Sequence, residues 1–296
     1  MQPSTIWLIA ASSLAWAGFD ATRKQLARET PAALSLSAAL VTSQVPAFVG
    51  YGLLASSRRI AIGYWLPGLV AAALNVVANL AFIEAVVVAP LSLTVPYLSL
   101  TPVLTALAAF VMLGERPRAL QIAGIAAVVA GAGLLAWRGA SQTQARAGGD
   151  PLDPAKVRRG RWLMISVAAL WAINGPVDKL AIRHAPPEMH AAVQSTVVAL
   201  GLLLLAALRG QLRATGQRLA RPLGLLPSAL FAAAALITQL HAIQSALVGL
   251  FDAIKRAVGL VGALINGRLF FGEPIGWAKV IAALVMAGGV AALLLG

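Results

Sequence analysis

The chain has no cysteine, three histidines and only ten acidic residues among 296, and 11% of its residues are charged. Without cysteine there is no disulfide, no cysteine-ligated zinc, no iron–sulfur cluster and no thiol catalysis. The absence says nothing about compartment. The histidines, at 184, 190 and 241, fall on different segments and suggest no metal site. There is no H-E-x-x-H, no G-x-S-x-G and no glycine-rich loop for ATP. An intramembrane enzyme and an ATP-driven pump therefore lack their usual signatures. No catalytic residue, metal or cofactor is assigned. A soluble domain carries about 25% charged residues, so this chain is not an ordinary soluble domain.

What it has is apolar residue, 59% by count, with a mean hydropathy of +0.83. A helical span needs about 20 apolar residues, and the length allows ten. The apolar runs, numbered spans 1 to 10, lie at about 5–26, 32–56, 63–86, 88–113, 119–137, 162–182, 188–208, 223–245, 247–271 and 275–295. Span 1 begins by Ile6 with no basic residue ahead of it, which reads as a retained span. Backbone groups in lipid must be satisfied within the segment, so the expected fold is an all-α integral membrane protein. The net charge of +13 would suggest nucleic acid in a soluble protein. Here the basic residues sit mostly between apolar runs, where they set topology, and no nucleic-acid partner is expected.

The two halves of the chain repeat. Trp7, Trp16, Lys24 and Pro31 match Trp162, Trp171, Lys179 and Pro186 at a spacing of 155. Leu113-Gly114-Glu115 matches Phe271-Gly272-Glu273 at a spacing of 158, and Gln121 matches Lys279. The expected organisation is a first repeat at 1–137, a polar linker at 138–161 and a second repeat at 162–296. Five spans per half reverse the second half in the membrane, giving two inverted five-helix repeats, an arrangement common in secondary transporters. The loops after odd spans carry most of the Lys and Arg, among them Arg138, Lys156, Arg158, Arg209 and Arg213. That bias places these loops in the cytoplasm and both termini outside.

Several of these residues carry a resemblance. Trp16-Ala17 and Trp171-Ala172 open the two halves. Ala89-Pro90-Leu91-Ser92, Pro96 and Pro102 run into Leu113-Gly114-Glu115-Arg116-Pro117, and Phe271-Gly272-Glu273-Pro274 repeats the core of that motif. Over nearly its whole length the chain resembles the ten-span EamA-type members of the drug/metabolite transporter superfamily. The resemblance implies a transporter, and it implies both termini in the cytoplasm, against the charge bias; the orientation stays open. It leaves the substrate open too, since the superfamily moves amino acids, nucleotide sugars, sugar phosphates, drugs and other metabolites.

A charge within a span costs about 2.5–3.5 kcal/mol on insertion scales, so each is a functional candidate. In span 9, Asp252, Lys255, Arg256, Gly259, Ala263 and Asn266 share one helical face. The matching face of span 4, Thr94, Tyr97, Thr101 and Thr105, is polar and uncharged. Asp252 and Arg256, four apart, are expected to pair. That leaves Lys255 either to bind a substrate anion or to pair with Glu84 or Asp178 across the cavity. The Lys-Arg pair also resembles that of triose-phosphate translocators in the same superfamily, where such residues bind substrate phosphate.

In span 1, Asp20 and Lys24 are spaced for a structural pair, with a role at the cavity mouth as the alternative. In span 6, Asn174 and Asp178 share a face without a cation on it, which makes Asp178 a candidate for coupling to a proton or cation. Glu84 reads as an interfacial carboxylate or a proton carrier. His241 reads as packing or coupling. Trp16, Trp171, Asn79 and Asn174 are candidate lining of a metabolite pocket. Gly114, Glu115, Gly272, Glu273 and Pro96 read as gate elements, glycine ending a helix and glutamate complementing the dipole of another. Small residues in spans 5 and 10, including Gly131 and Gly289, allow close packing or a homodimer contact.

The composite expectation is a secondary transporter in a lipid bilayer, the bacterial plasma (inner) membrane. It would move a small organic anion or zwitterion by alternating access, coupled to protons or a counter-substrate. A broad exporter of amino acids or amphipathic drugs, and a flippase for lipid-linked head groups, are the alternatives.

Overall fold

The structure, a computed structural model, describes residues 3–28, 32–89, 94–146, 153–271 and 276–296. The side chains of 24, 28, 95, 96, 136–146 and 263–271 lie outside that description. Among the described residues the chain is helical and has no strand. The longer helices are α1 (Pro3–Arg28), α2 (Ala33–Leu53), α3 (Trp65–Val88), α4 (Thr101–Leu113), α5 (Ala119–Arg146), α6 (Pro154–Ala181), α7 (Pro187–Leu208), α8 (Pro222–Ser245), α9 (Val248–Phe271) and α10 (Trp277–Leu295). A short helix, Leu212–Leu219, lies between α7 and α8.

Five segments are long and apolar enough to cross a membrane: Ala33–Leu53, Ile62–Val88, Pro187–Leu208, Pro222–Ser245 and Trp277–Leu295. The charge-bearing α1 and α6 are not among them. Trp7 and Trp162, at matching repeat positions, are both exposed, as interfacial tryptophans are. Leu14, Leu66, Val111, Leu204 and Leu284 are exposed as well. In water such a surface would be an aggregation liability; in lipid it is the solvated face.

Two segments differ from the sequence reading. Span 4, expected as one run at 88–113, is not one continuous helix. Val95–Leu100 forms a 3-10 turn with proline in its first turn, and the α-helix begins only at Thr101, with Pro102 at its start. Proline lacks the N–H that an interior helical position donates, so it is tolerated where a helix starts. Its repeat mate, α9, has no proline and runs unbroken over 24 residues. The polar stretch 138–161 is also partly helical, since α5 continues to Arg146 and α6 starts at Pro154. Asp153 caps α6, its carboxylate accepting from the Ala155 N–H at 2.9 Å.

The halves pack mainly against each other. α1 lies on α8, and its image under exchange of halves is α6 on α3; likewise α1 on α9 corresponds to α6 on α4. The self-matched pairs α2–α7 and α5–α10 run antiparallel. Gly52, ending α2, meets Glu188 and Ala192 at the start of α7, while Ala38 and Val41 cluster with Val198 and Leu202. In α5–α10, Gly124 meets Gly289 and Leu293, and Gly131 meets Ala282 and Met286. A methyl on Gly124 would lie 2.7 Å from the Gly289 carbonyl oxygen. The small residues of this pair thus close a contact inside the chain. Antiparallel mates require a two-fold axis perpendicular to the helices.

Candidate functional site

Charge gathers where α1 meets α9. Asp252 lies in the second turn of α9, and Thr105 of α4 donates to its Oδ2 at 2.5 Å. Lys255, one turn on, pairs with Oδ1 at 3.0 Å. Its ammonium also lies 5.4 Å from the Phe251 ring and 5.5 Å from Trp16, within cation–π range. The sequence reading paired Asp252 with Arg256 and left Lys255 free. Residues three and four along share a helical face, and the flexible lysine stem reaches back to the carboxylate. Lys255 therefore pairs with neither Glu84 nor Asp178. Arg256 lies within electrostatic reach of both Asp20 and Asp252, and its buried Nε has no hydrogen-bond partner among the described residues.

The α1 side completes the cluster. Asp20 pairs with Arg23; the sequence reading gave it Lys24, whose side chain lies outside the described residues. The Arg23 guanidinium sits 4.1 Å from the Phe82 ring, 4.5 Å from Phe19 and 5.7 Å from Trp171. The residue is 2% exposed, and its Nε has no hydrogen-bond partner among the described residues. Asp20, by contrast, keeps 44% of its side-chain surface exposed. Trp16 donates its Nε1 hydrogen to Gln239 at 2.8 Å and stands edge-on to Phe19. Asp20, Arg23, Asp252, Lys255 and Arg256 thus form one group of three cations and two carboxylates, rimmed by aromatic rings.

The span 4 hydroxyls divide. Thr105 serves Asp252, whereas Thr94 is fully buried against Gly160 of α6. Thr101 is buried, and its hydroxyl has no partner among the described residues. Tyr97 is half-buried beside Trp171 in a shared apolar cluster.

A second polar group lies between α3, α6 and α7. Asp178 is 1% exposed. Its Oδ1 accepts from Gln194 at 2.7 Å and lies 3.2 Å from His190 Nε2, and its Oδ2 accepts from Asn174 at 2.8 Å. Tyr64 Oη lies 3.0 Å from His190 Nδ1. Asn75 donates to Asn174 at 3.2 Å, and Asn79 donates to the Asn75 carbonyl at 2.8 Å. Asn174 is thus engaged in a carboxamide pair with Asn75, and Asn79 is held by the backbone carbonyl of Asn75. Tyr64, His190, Gln194 and Arg23 were not singled out from the sequence. A signal was available for two of them: His190 and Gln194 share a face of α7 as Asn174 and Asp178 share one of α6.

Glu115 ties the halves together. One oxygen accepts from Lys179 at 2.8 Å and the other from the Val248 N–H that starts α9, also at 2.8 Å. Lys179 donates further to the Ala246 carbonyl at 2.7 Å. The helix end that Glu115 caps is therefore in the other half. Gly114 takes the left-handed conformation, φ 69°, that lets α4 stop there. Gly272, Glu273 and the Pro96 side chain lie outside the described residues. Glu84 pairs with Arg159, both partly exposed. His241 contacts the Tyr51 hydroxyl at 2.6 Å between α8 and α2.

The model of the EamA-like transporter family matches residues 3–137 and 158–295. No curated protein matches the chain. A solved structure described as "Crystal structure of protein" is similar over 100% of this chain and 98% of its own, at 20% identity and a TM-score of 0.71. At that identity the likeness is one of fold.

Proposed function

The chain belongs to the EamA-like transporter family, and on that premise we propose that it is a secondary active transporter of a small organic anion or zwitterion. Its ten spans, as two inverted five-helix repeats, would work by alternating access. The observation that carries the reading is the α1–α9 cluster, where Lys255, Arg256 and Arg23 outnumber Asp252 and Asp20 beside a rim of tryptophan and phenylalanine. Uncompensated charges in a low-dielectric site are costly. The Lys255–Asp252 pair keeps the empty site close to neutral. A carboxylate or phosphate entering it would take over Lys255 and Arg256 from the aspartates. An ammonium on the same solute would find Asp20, the more exposed of the two carboxylates. Glu115 and Lys179 would act as a latch holding the halves together at one end while the other opens.

The test is counterflow uptake in proteoliposomes with a panel of phosphate esters, carboxylates, amino acids and organic cations, comparing wild type with Lys255→Ala. The expected result is uptake of an anion or zwitterion that falls at least tenfold in the variant. Uptake restricted to neutral or cationic solutes and unchanged by the substitution overturns the anion reading and favours a broad exporter.

A further inference from the structure

Asp178 and His190 have no part in the α1–α9 cluster, yet both are almost completely buried, to within 1% of complete enclosure, and Tyr64 is fully buried beside them. Among the described residues no lysine or arginine forms an ion pair with Asp178. The neighbours on each packed element are accounted for. α2 and α4 contain no charged residue. On α3 the one charge, Glu84, is held by Arg159. On α6, Lys179 turns to Glu115. On α8, His241 is engaged with Tyr51. On α9, Asp252, Lys255 and Arg256 belong to the anion cluster. On α7 the remaining charge is Glu188, at its start, and His184 lies in the loop before it, against Gly63. The ionisable side chain that Asp178 does meet is an imidazole, a group that can carry hydrogen on either ring nitrogen.

The geometry fixes where that proton sits. With Asp178 as the carboxylate, its Oδ1 accepts, and His190 Nε2 carries the hydrogen facing it. With His190 neutral, Nδ1 then accepts from the Tyr64 hydroxyl. When a second proton arrives it goes to Nδ1, which becomes a donor to Tyr64 Oη. Every contact survives; only the hydroxyl hydrogen turns. The group changes from net negative to neutral with no side chain displaced.

We propose that Asp178 and His190 are the proton-binding site that couples transport, with Tyr64 as the positioning residue that links its occupancy to the arrangement of the two halves. Tyr64 and Asn75 come from the first half; Asp178, His190, Asn174 and Gln194 come from the second. Relative movement of the halves would separate Tyr64 from Nδ1 and Asn75 from Asn174. The site would then bind its proton with different affinity in the two arrangements, and by linkage the proton biases which arrangement is populated. This deepens the transport reading and rests on it for the coupling step alone.

Two experiments test it. The first is nitrogen-15 NMR of histidine-labelled protein in lipid nanodiscs. The three ring signals are assigned with His184→Gln, His190→Gln and His241→Gln. His190 is expected as the Nε2–H tautomer at high pH, gaining a second proton on acidification. In Asp178→Asn its proton affinity is expected to fall about tenfold or more, with the His184 and His241 signals in place as evidence that the variant is folded. An Nδ1–H tautomer in the wild type overturns the proposal whether or not the variant folds, as does an unchanged affinity in a folded variant. The second is solute uptake driven by an imposed pH gradient, using whichever solute of the panel shows counterflow. His190→Gln and Tyr64→Phe are expected to lose gradient-driven uptake at least tenfold, and counterflow much less. Tyr64→Phe should still leave His190 able to titrate. Counterflow in the wild type without response to the gradient overturns the coupling. If no solute shows counterflow, the transport reading falls, and the ring titration still decides the proton site.

Discussion

Arg23 and Asp178 occupy the same slot of the repeat, 155 residues apart, and carry opposite charge. Each is near the end of the first helix of its half and each is almost wholly buried. They lie toward opposite ends of α3, Arg23 against Phe82 and Asp178 linked to Asn75 and Tyr64. The repeat dictates the slot; the neighbours decide what it does. Arg23 is surrounded by rings and one partly exposed carboxylate, a setting that keeps a guanidinium charged and still. Asp178 is surrounded by carboxamide donors and an imidazole, a setting that holds a carboxylate through hydrogen bonds. Under the alternating access proposed above, the two halves would exchange roles on a symmetric frame, and the same slot still carries a guanidinium in one half and a carboxylate in the other.

The comparison breaks first at Asp178. Asp178→Ala removes the acceptor for Gln194, His190 and Asn174 together, leaving buried donors unsatisfied. It should destabilise the protein by about 3–5 kcal/mol, read as loss of the folded fraction in detergent or a large fall in Tm. Arg23→Met should cost less, about 2 kcal/mol. It forfeits the cation–π contacts, but its partner Asp20 retains access to solvent, and the thioether fills the space between the rings. Equal losses in the two variants would mean that the slots are energetically alike, and would undo the distinction drawn above.

Glu115 sharpens the same contrast at the level of whole halves. Glu115→Ala removes a helix cap on α9 and the partner of Lys179 at once. The expected loss is about 1–2 kcal/mol, the range for capping side chains. The finer readout is accessibility: a cysteine introduced at Ala246 should label faster in Glu115→Ala if the latch holds the halves together. An unchanged rate would reduce Glu115 to a structural cap.

The positions of most helices were readable because lipid demands continuous apolar length, and helix ends fall within a few residues of the expected run ends except at the start of span 4 and where polar sequence continues as helix beyond span 5 and before span 6. Partners were much less readable. Asp252 had cations at both three and four residues along, and Asp20 likewise, so helical spacing alone did not select between them. Glu115 was legible as a capping residue, but the N–H it caps is 133 residues away, a distance that no local pattern spans. His190 was passed over because it was weighed with the other histidines as a metal ligand. The informative comparison was with the carboxylate on the neighbouring helix. Span 4 was read as one run at 88–113, whereas Pro96 and Pro102 each lie at the start of a new element.

The smallest expected effect concerns the tryptophans, which also share a slot. Trp16 has a hydrogen-bond partner in Gln239 and a cation, Lys255, at its face. Trp171 tilts against Phe82 with their centroids 5.5 Å apart. Trp16→Phe keeps the aromatic bulk and loses the indole N–H, leaving the Gln239 carbonyl short of a donor. The cost should be about 1 kcal/mol, the net worth of one hydrogen bond. Trp171→Phe removes ring area and no hydrogen bond seen among the described residues, so its cost should follow the packing it loses. If the first ring helps to hold Lys255, Trp16→Phe should also weaken solute affinity in counterflow a few-fold, and Trp171→Phe should weaken it less. The reverse order would move the solute's aromatic contact from the α1–α9 side of the cluster to the Arg23 side, and Lys255 would lose its place as the first anion contact.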